Sequence, residues 1–202
     1  MTSHIHRYQK PSPHRLASRR WNGMRVGLLG GSFNPPHKGH MHIALTALRQ
    51  HKFHAIWWMV SPQNPLKSKS NNFTKRIAMT RRYVRHPKMV VTDIENRFNT
   101  CYSYQTVLEL QKHFPRTRFT WIAGMDNARI FHRWDHWPLL LRRIPFIFFN
   151  RPPNHMVMNA NIVRLYRGKK NVKWTLRGKT RNISSTALRQ NKIARFLKSG
   201  VY

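Results

Sequence analysis

From residue 24 onward, short apolar runs alternate with longer stretches whose apolar residues recur every three or four positions. The runs at 24–29, 54–60, 89–92, 118–123, 145–149 and 172–176 predict strands. Helical spacing covers 38–50, where Met41, Ala44, Leu45 and Leu48 fall at i, i+3, i+4 and i+7. It returns over 73–86, stopping before Pro87, and near 104–113 through Tyr104, Val107, Leu108 and Gln111. One or two short helices cover 127–142. A last helix opens at Ser184-Ser185-Thr186 and carries Ile193, Phe196 and Leu197. Residues 150–171 give no clear period. Strands alternating with helices predict an α/β, Rossmann-like, doubly wound parallel sheet with three α/β/α layers. In such sheets ligands bind beyond the carboxyl ends of the strands, near the point where strand order reverses. Residues 30–40, 62–67 and 124–126 all fall at those ends.

The glycine turn after the first strand carries the strongest local signal. It reads Gly30-Gly31-Ser32-Phe33-Asn34-Pro35-Pro36-His37-Lys38-Gly39-His40. A strand, a glycine turn and a helix start leave backbone N–H groups and the positive end of a helix dipole facing an anion. Gly30 and Gly31 are expected to let the backbone approach a phosphate without a Cβ in the way. His37 and His40 lie one helical turn apart. No cysteine and few carboxylates stand near to complete a zinc set, so phosphate contact suits the pair better. Acid/base work and simple capping of the helix remain open. Near the other end, Ser184, Ser185 and Thr186 start a helix with hydroxyls, and Arg189 lies just over one turn on, able to fork onto phosphate oxygens.

At 202 residues, with 40% hydrophobic and 12% aromatic residues, the chain is expected to fold as one domain over 24–202. Residues 1–23 are polar and proline-containing, and predict a flexible basic extension that lacks the apolar core of a secretory signal. No apolar run approaches the roughly 18 residues that span a bilayer. Cys101 is the single cysteine, so no intrachain disulfide can form and a cytoplasmic, reducing location is expected. The charge is extreme: 38 Lys and Arg against 5 Asp and Glu. Such a field draws polyanions. The cations do not cluster on one element, and no RNA- or DNA-binding motif is visible, so weak, non-specific nucleic-acid binding is the expectation from charge alone. The acids are informative by rarity: Asp93, Glu95, Glu109, Asp126 and Asp135.

Together these motifs resemble a known family. Residues 30–40 resemble the (T/H)xGH signature of nucleotidylyltransferases, and Ile183-Ser184-Ser185-Thr186-x-Leu188-Arg189 resembles their second signature. Ser61-Pro62-Gln63-Asn64-Pro65-Leu66-Lys67, Asp93-Ile94-Glu95, Tyr102-Ser103, Gly124-x-Asp126-Asn127 and Trp134 are similar to the bacterial nicotinate-nucleotide adenylyltransferase branch, in order over about 24–197. The resemblance implies the nucleotidylyltransferase-type fold and transfer of AMP from ATP to nicotinate mononucleotide, giving deamido-NAD and pyrophosphate. It implies that backbone near Gly30, Gly31, Ser32 and Phe33 holds phosphate, with His37 and His40 on the triphosphate. Ile183, Ser184, Ser185, Thr186 and Arg189 would hold ATP from the other helix start. Lys67 would reach the phosphates, and Asn64 the mononucleotide, from a loop. Tyr102, Ser103, Asp126, Trp134 and Asp135 would meet the mononucleotide, Trp134 by stacking on its ring. Mg²⁺ would arrive with ATP rather than in a protein cage. Two departures stand out: Ser103 replaces the usual Thr, and Met125 the usual Ala. The alternatives are a sister enzyme using nicotinamide mononucleotide or phosphopantetheine, and a basic nucleic-acid-binding protein.

Overall fold

Each apolar run in the sequence becomes a strand, and all of them join one sheet. The structure is a computed structural model and describes residues 19–62, 72–149 and 171–175. The strands are β1 (Arg25–Gly31), β2 (Ala55–Val60), β3 (Met89–Thr92), β4 (Arg118–Gly124), β5 (Phe146–Phe149) and β6 (Val172–Thr175). Their order is β3-β2-β1-β4-β5-β6, and every neighbouring pair is parallel. β2 shows why these runs lack polar residues. It is buried along its whole length. Ala55, Trp57 and Met59 enter one core, while Ile56, Trp58 and Val60 enter the other. A strand covered on both faces needs apolar side chains at both parities.

The helices supply the two outer layers. α1 (Lys38–His51) and α2 (Phe73–Tyr83) bury Ile43, Ala44, Ala47 and Ile77 against one face. α4 (Ser103–His113), α5 (Met125–Arg129) and α6 (Trp137–Arg143) bury Val107, Leu110, Ala128, Leu140 and Leu141 against the other. This is the doubly wound α/β arrangement expected. Strand order reverses between β1 and β4, so the crevice at their carboxyl ends is where a ligand belongs. Among the described residues, no helix is long and apolar enough to cross a membrane.

Three differences from expectation have a visible cause in the structure or the sequence. The predicted extension reaches too far. Trp21, in a 3₁₀ turn over Arg19–Trp21, is 1% exposed and meets Trp57 edge-on at 4.8 Å. The Thr117 hydroxyl donates to its carbonyl at 2.8 Å. The packed body therefore includes Trp21; residues 1–18 lie outside the described part. α2 ends at Tyr83 rather than 86, with Val84 already extended as its C-cap and donating its N–H to the Thr80 carbonyl. A four-residue helix, α3 (Ile94–Arg97), follows β3 and was not expected, being too short to show a period.

Candidate active site

The β1–α1 corner is held from inside. β1 runs through Gly30 and Gly31. A Cβ on Gly30 would lie 2.9 Å from the Trp121 ring, and one on Gly31 would lie 3.2 Å from the Phe33 ring. The room that these glycines leave is filled by the protein's own aromatics. Their backbone groups remain the part that can serve a ligand. Phe33 is 1% exposed and adopts the left-handed region at φ 44°. That is strained for a bulky residue, by about 1–3 kcal/mol. Its ring is fixed between His40, at 5.0 Å, and Trp58, at 5.1 Å. Asn34 and Pro35 are joined by a cis peptide bond.

His37 is the N-cap of α1. Its Nδ1 accepts from Gly39 N–H at 3.1 Å, and His40 Nδ1 accepts from His37 N–H at 3.3 Å, a reciprocal capping box built of two imidazoles. The rings stack at 3.7 Å. An Nδ1 that accepts carries no proton, so each ring is neutral with its proton on Nε2. The pair therefore offers N–H donors rather than two positive charges. Capping does not exclude ligand contact, since both capping bonds use Nδ1.

Arg76 ties this corner to the end of β2. It is fully buried on α2, and its guanidinium donates to the carbonyls of Ser32 at 2.8 Å, Ser61 at 2.7 Å and Pro62 at 2.7 Å. Burial lowers its pKa from the usual arginine value. Glu95, on α3, is 4% exposed, and burial pushes its carboxyl up to about 7. Hydrogen bonds from the hydroxyls of Ser61 and Thr106 pull the other way, the Thr106 hydroxyl donating at 3.4 Å. Glu95 thus links the exit of β2 to α4, whose first residues are candidates themselves.

The facing corner is more open. Asp126 is exposed in the first turn of α5, just beyond β4. With Arg129, Ile130, His132 and Arg133 it lines a cleft of about 320 Å³. Trp134 is partly buried, edge-on to Trp121 at 5.7 Å and tilted against Phe131 at 5.1 Å. Asp135 is bonded to His136 Nδ1 at 2.8 Å, and the His136 ring stacks on Tyr104 of α4 at 5.1 Å. Tyr102 is 40% exposed at the start of α4, beside Ser103. Asn64, Lys67, Ile183, Ser184, Ser185, Thr186 and Arg189 lie outside the described residues.

The cytidylyltransferase-like family matches residues 28–191. A protein of Cereibacter sphaeroides (strain ATCC 17025), named "Probable nicotinate-nucleotide adenylyltransferase", is 48% identical over 130 residues, covering 64% of this chain and 70% of that protein. One of the same name from Agrobacterium fabrum is 37% identical, covering 83% of this chain and 99% of its own length. The chain belongs to the nicotinate-nucleotide adenylyltransferases, within the cytidylyltransferase-like family. The fold agrees. The Plasmodium falciparum nicotinic acid mononucleotide adenylyltransferase complexed with NaAD superposes with a TM-score of 0.68 at 18% identity, covering 85% of this chain and 89% of that one. A Vibrio parahaemolyticus structure described as a putative nicotinate-nucleotide adenylyltransferase gives 0.59 at 16% identity, covering 85% and 88%.

For an adenylyltransferase, two residues here had no role assigned from sequence. Glu95 lies within the Asp93-Ile94-Glu95 motif, and its rarity as an acid shortly after a strand is the signal that the sequence offers for it. Arg76 was invisible among 38 cations. It did carry one sign: it sits on the apolar face of α2, beside Ile77 and Thr80, where a helix ordinarily places a core residue.

Proposed function

We infer that the chain transfers the adenylyl group of ATP to nicotinate mononucleotide, giving deamido-NAD and pyrophosphate in NAD biosynthesis. The observation that carries this reading is the imidazole-capped start of α1 at the carboxyl end of β1, beside the strand-order reversal, in a chain of this family. A phosphate oxygen of the mononucleotide attacks the α-phosphorus of ATP in line. The new P–O bond forms as the bond to the β-phosphate oxygen breaks, and pyrophosphate leaves with that electron pair. The attacking phosphate is already ionised at neutral pH, so no base is required. The protein's contribution is to hold two mutually repelling anions in line and to stabilise charge on the leaving group.

The backbone at Gly30, Gly31, Ser32 and Phe33 supports the triphosphate, and His37 and His40 donate Nε2–H bonds to it as charge develops. Because neutral rings already carry these protons, no proton has to move. Ser185, Thr186 and Arg189 take the triphosphate from the second signature, and Lys67 from the segment after β2. Asp126 aligns the nucleotide riboses. Trp134 offers its open face to the pyridine ring. Asn64, Tyr102, Ser103 and Asp135 complete the mononucleotide side. Among the described residues no group of three His, Cys, Asp or Glu side chains is placed to hold a metal. Mg²⁺ fits this site as an ion bound by the triphosphate's own oxygens, where it would neutralise their charge.

Pyrophosphate release with ATP, measured in parallel with nicotinate and nicotinamide mononucleotides, tests the reading. Release is expected to be faster with the nicotinate form. Preference for the amide form would place the chain with a sister activity, and no release with either would refute adenylyl transfer.

A further inference from the structure

The two ends of the sheet differ in charge. All five carboxylate side chains of the sequence fall within the described residues. Asp93 and Glu95 follow β3, Asp126 follows β4, and Asp135 lies just before α6. The fifth, Glu109 on α4, is engaged by His113 at 3.5 Å and Lys112 at 3.9 Å. Four of the five thus gather at the ligand-binding end. The opposite edge, where the strands begin, carries cations strand by strand. Arg85 and Lys88 precede β3, Lys52 precedes β2, Arg25 opens β1, Arg116 and Arg118 stand at the start of β4, and Arg142 and Arg143 precede β5.

Strand order turns these scattered positions into a row. Read across the sheet as β3-β2-β1-β4-β5, the cations follow one another at the spacing of neighbouring strands. At about 4.8 Å per strand the row is about 19 Å long. All of these side chains are exposed except the half-buried Arg25, whose guanidinium donates to the Lys52 carbonyl at 2.6 Å. Among the described residues, none of them forms an ion pair with a carboxylate. The helices run against the strands, so the negative ends of α2, α4 and α6 reach the same edge and favour cations there. Those dipoles offset part of the mutual repulsion; a bound polyanion would remove the rest.

We propose that this edge binds the phosphate backbone of a nucleic-acid duplex, on the side of the sheet away from the adenylyl-transfer site. A row of cations suits backbone phosphates and carries no base reading. Among the described residues the exposed large hydrophobic side chains are Tyr102 and Leu139, and neither lies in the row. An anionic membrane finds no apolar anchor. Occupation of this edge leaves the carboxyl ends of the strands open, so duplex and ATP bind independently.

Fluorescence anisotropy with an RNA duplex of roughly 20 base pairs tests this, across a salt series. One variant combines Lys52→Gln, Lys88→Gln, Arg116→Gln and Arg118→Gln. Its control combines Lys75→Gln, Arg97→Gln, Arg129→Gln and Arg133→Gln, which removes as much charge elsewhere. The edge variant is expected to lose at least about tenfold in affinity near 0.1 M salt and to flatten the salt dependence by about three to four counterions. It should keep wild-type adenylyl transfer, which also reports that it folds. The control should retain most of the affinity, and saturating ATP should not displace the duplex. A DNA duplex of equal length should behave alike. Equal losses in the two variants would show a diffuse field and overturn the proposal. So would displacement by ATP, or binding of phosphatidylserine vesicles without duplex binding.

Discussion

At the β1–α1 corner the first turn of the helix is closed by two imidazoles accepting from its own backbone. At the facing corner α4, α5 and α6 all begin without any side-chain cap. The first corner buries Phe33, His37 and Arg76; the second exposes Asp126 and Tyr102. One half of the crevice is fixed before any ligand arrives, and the other is left open. With the substrates placed as proposed above, the reaction gives this difference a purpose. In-line transfer needs the leaving pyrophosphate held in one geometry, and preorganised donors cost nothing to reorient at that moment. The second substrate has to enter and its product leave, which an open cleft permits.

If the first corner is rigid because Arg76 joins the ends of β1 and β2, removing that residue has the largest effect. Arg76→Ala strands three carbonyls and is expected to cost about 3 kcal/mol or more in urea unfolding. Arg76→Lys, which keeps the charge but not the fork, should fold and show a raised KM for ATP with the mononucleotide KM little changed. A stable, fully active Arg76→Ala would erase the contrast between the corners.

Glu95 tests the link between them through pH. Its carboxyl is pushed up to about 7 in the fold, from a usual value of 4.5. The native state thus holds the proton more tightly than the unfolded chain. Its stabilising contribution is complete below about pH 4.5 and is lost as pH rises through about 7. Glu95→Gln mimics the protonated form. It should match the wild type near pH 4.5 and exceed it progressively up to about pH 8, by about 3 kcal/mol. Parallel stability profiles would show that Glu95 titrates normally.

His40→Ala separates chemistry from capping. The lost cap bond should cost about 1 kcal/mol of stability. Turnover should fall about 100-fold or more, the scale of losing a preorganised donor. A fall in turnover no larger than the stability loss explains would return His40 to a purely structural role. The smallest effect belongs to the open corner. Trp134→Ala should raise the mononucleotide KM about tenfold and leave the KM for ATP unchanged. Equal losses for both substrates would mean that Trp134 only packs against Trp121 and Phe131.

Sequence reading reached the elements whose hydrophobic period is long and missed what a period does not encode. The strands and α1 were visible because each must present apolar residues to two cores or to one. α3 has four residues and no period, and Trp21 is a lone apolar residue in a polar stretch, held by a partner 96 positions away. In the site, His37 and His40 were plain from spacing, but their neutrality follows only from where their Nδ1 atoms point. Gly30 and Gly31 read from sequence as a place for close backbone approach; that Trp121 and Phe33 pack where a Cβ would stand, one of them far along the chain, does not show in a turn motif. Arg76 reads as one more surface cation until three carbonyls are seen around its guanidinium.

The central claim is direct transfer of an adenylyl group by positioning alone. A single turnover with ATP labelled at the α-phosphorus and excess nicotinate mononucleotide tests it most directly. The label is expected to pass straight into deamido-NAD, with none retained on the protein at any time after quenching. Label bound to the protein, or recovered in anything other than the dinucleotide and unreacted ATP, would contradict it.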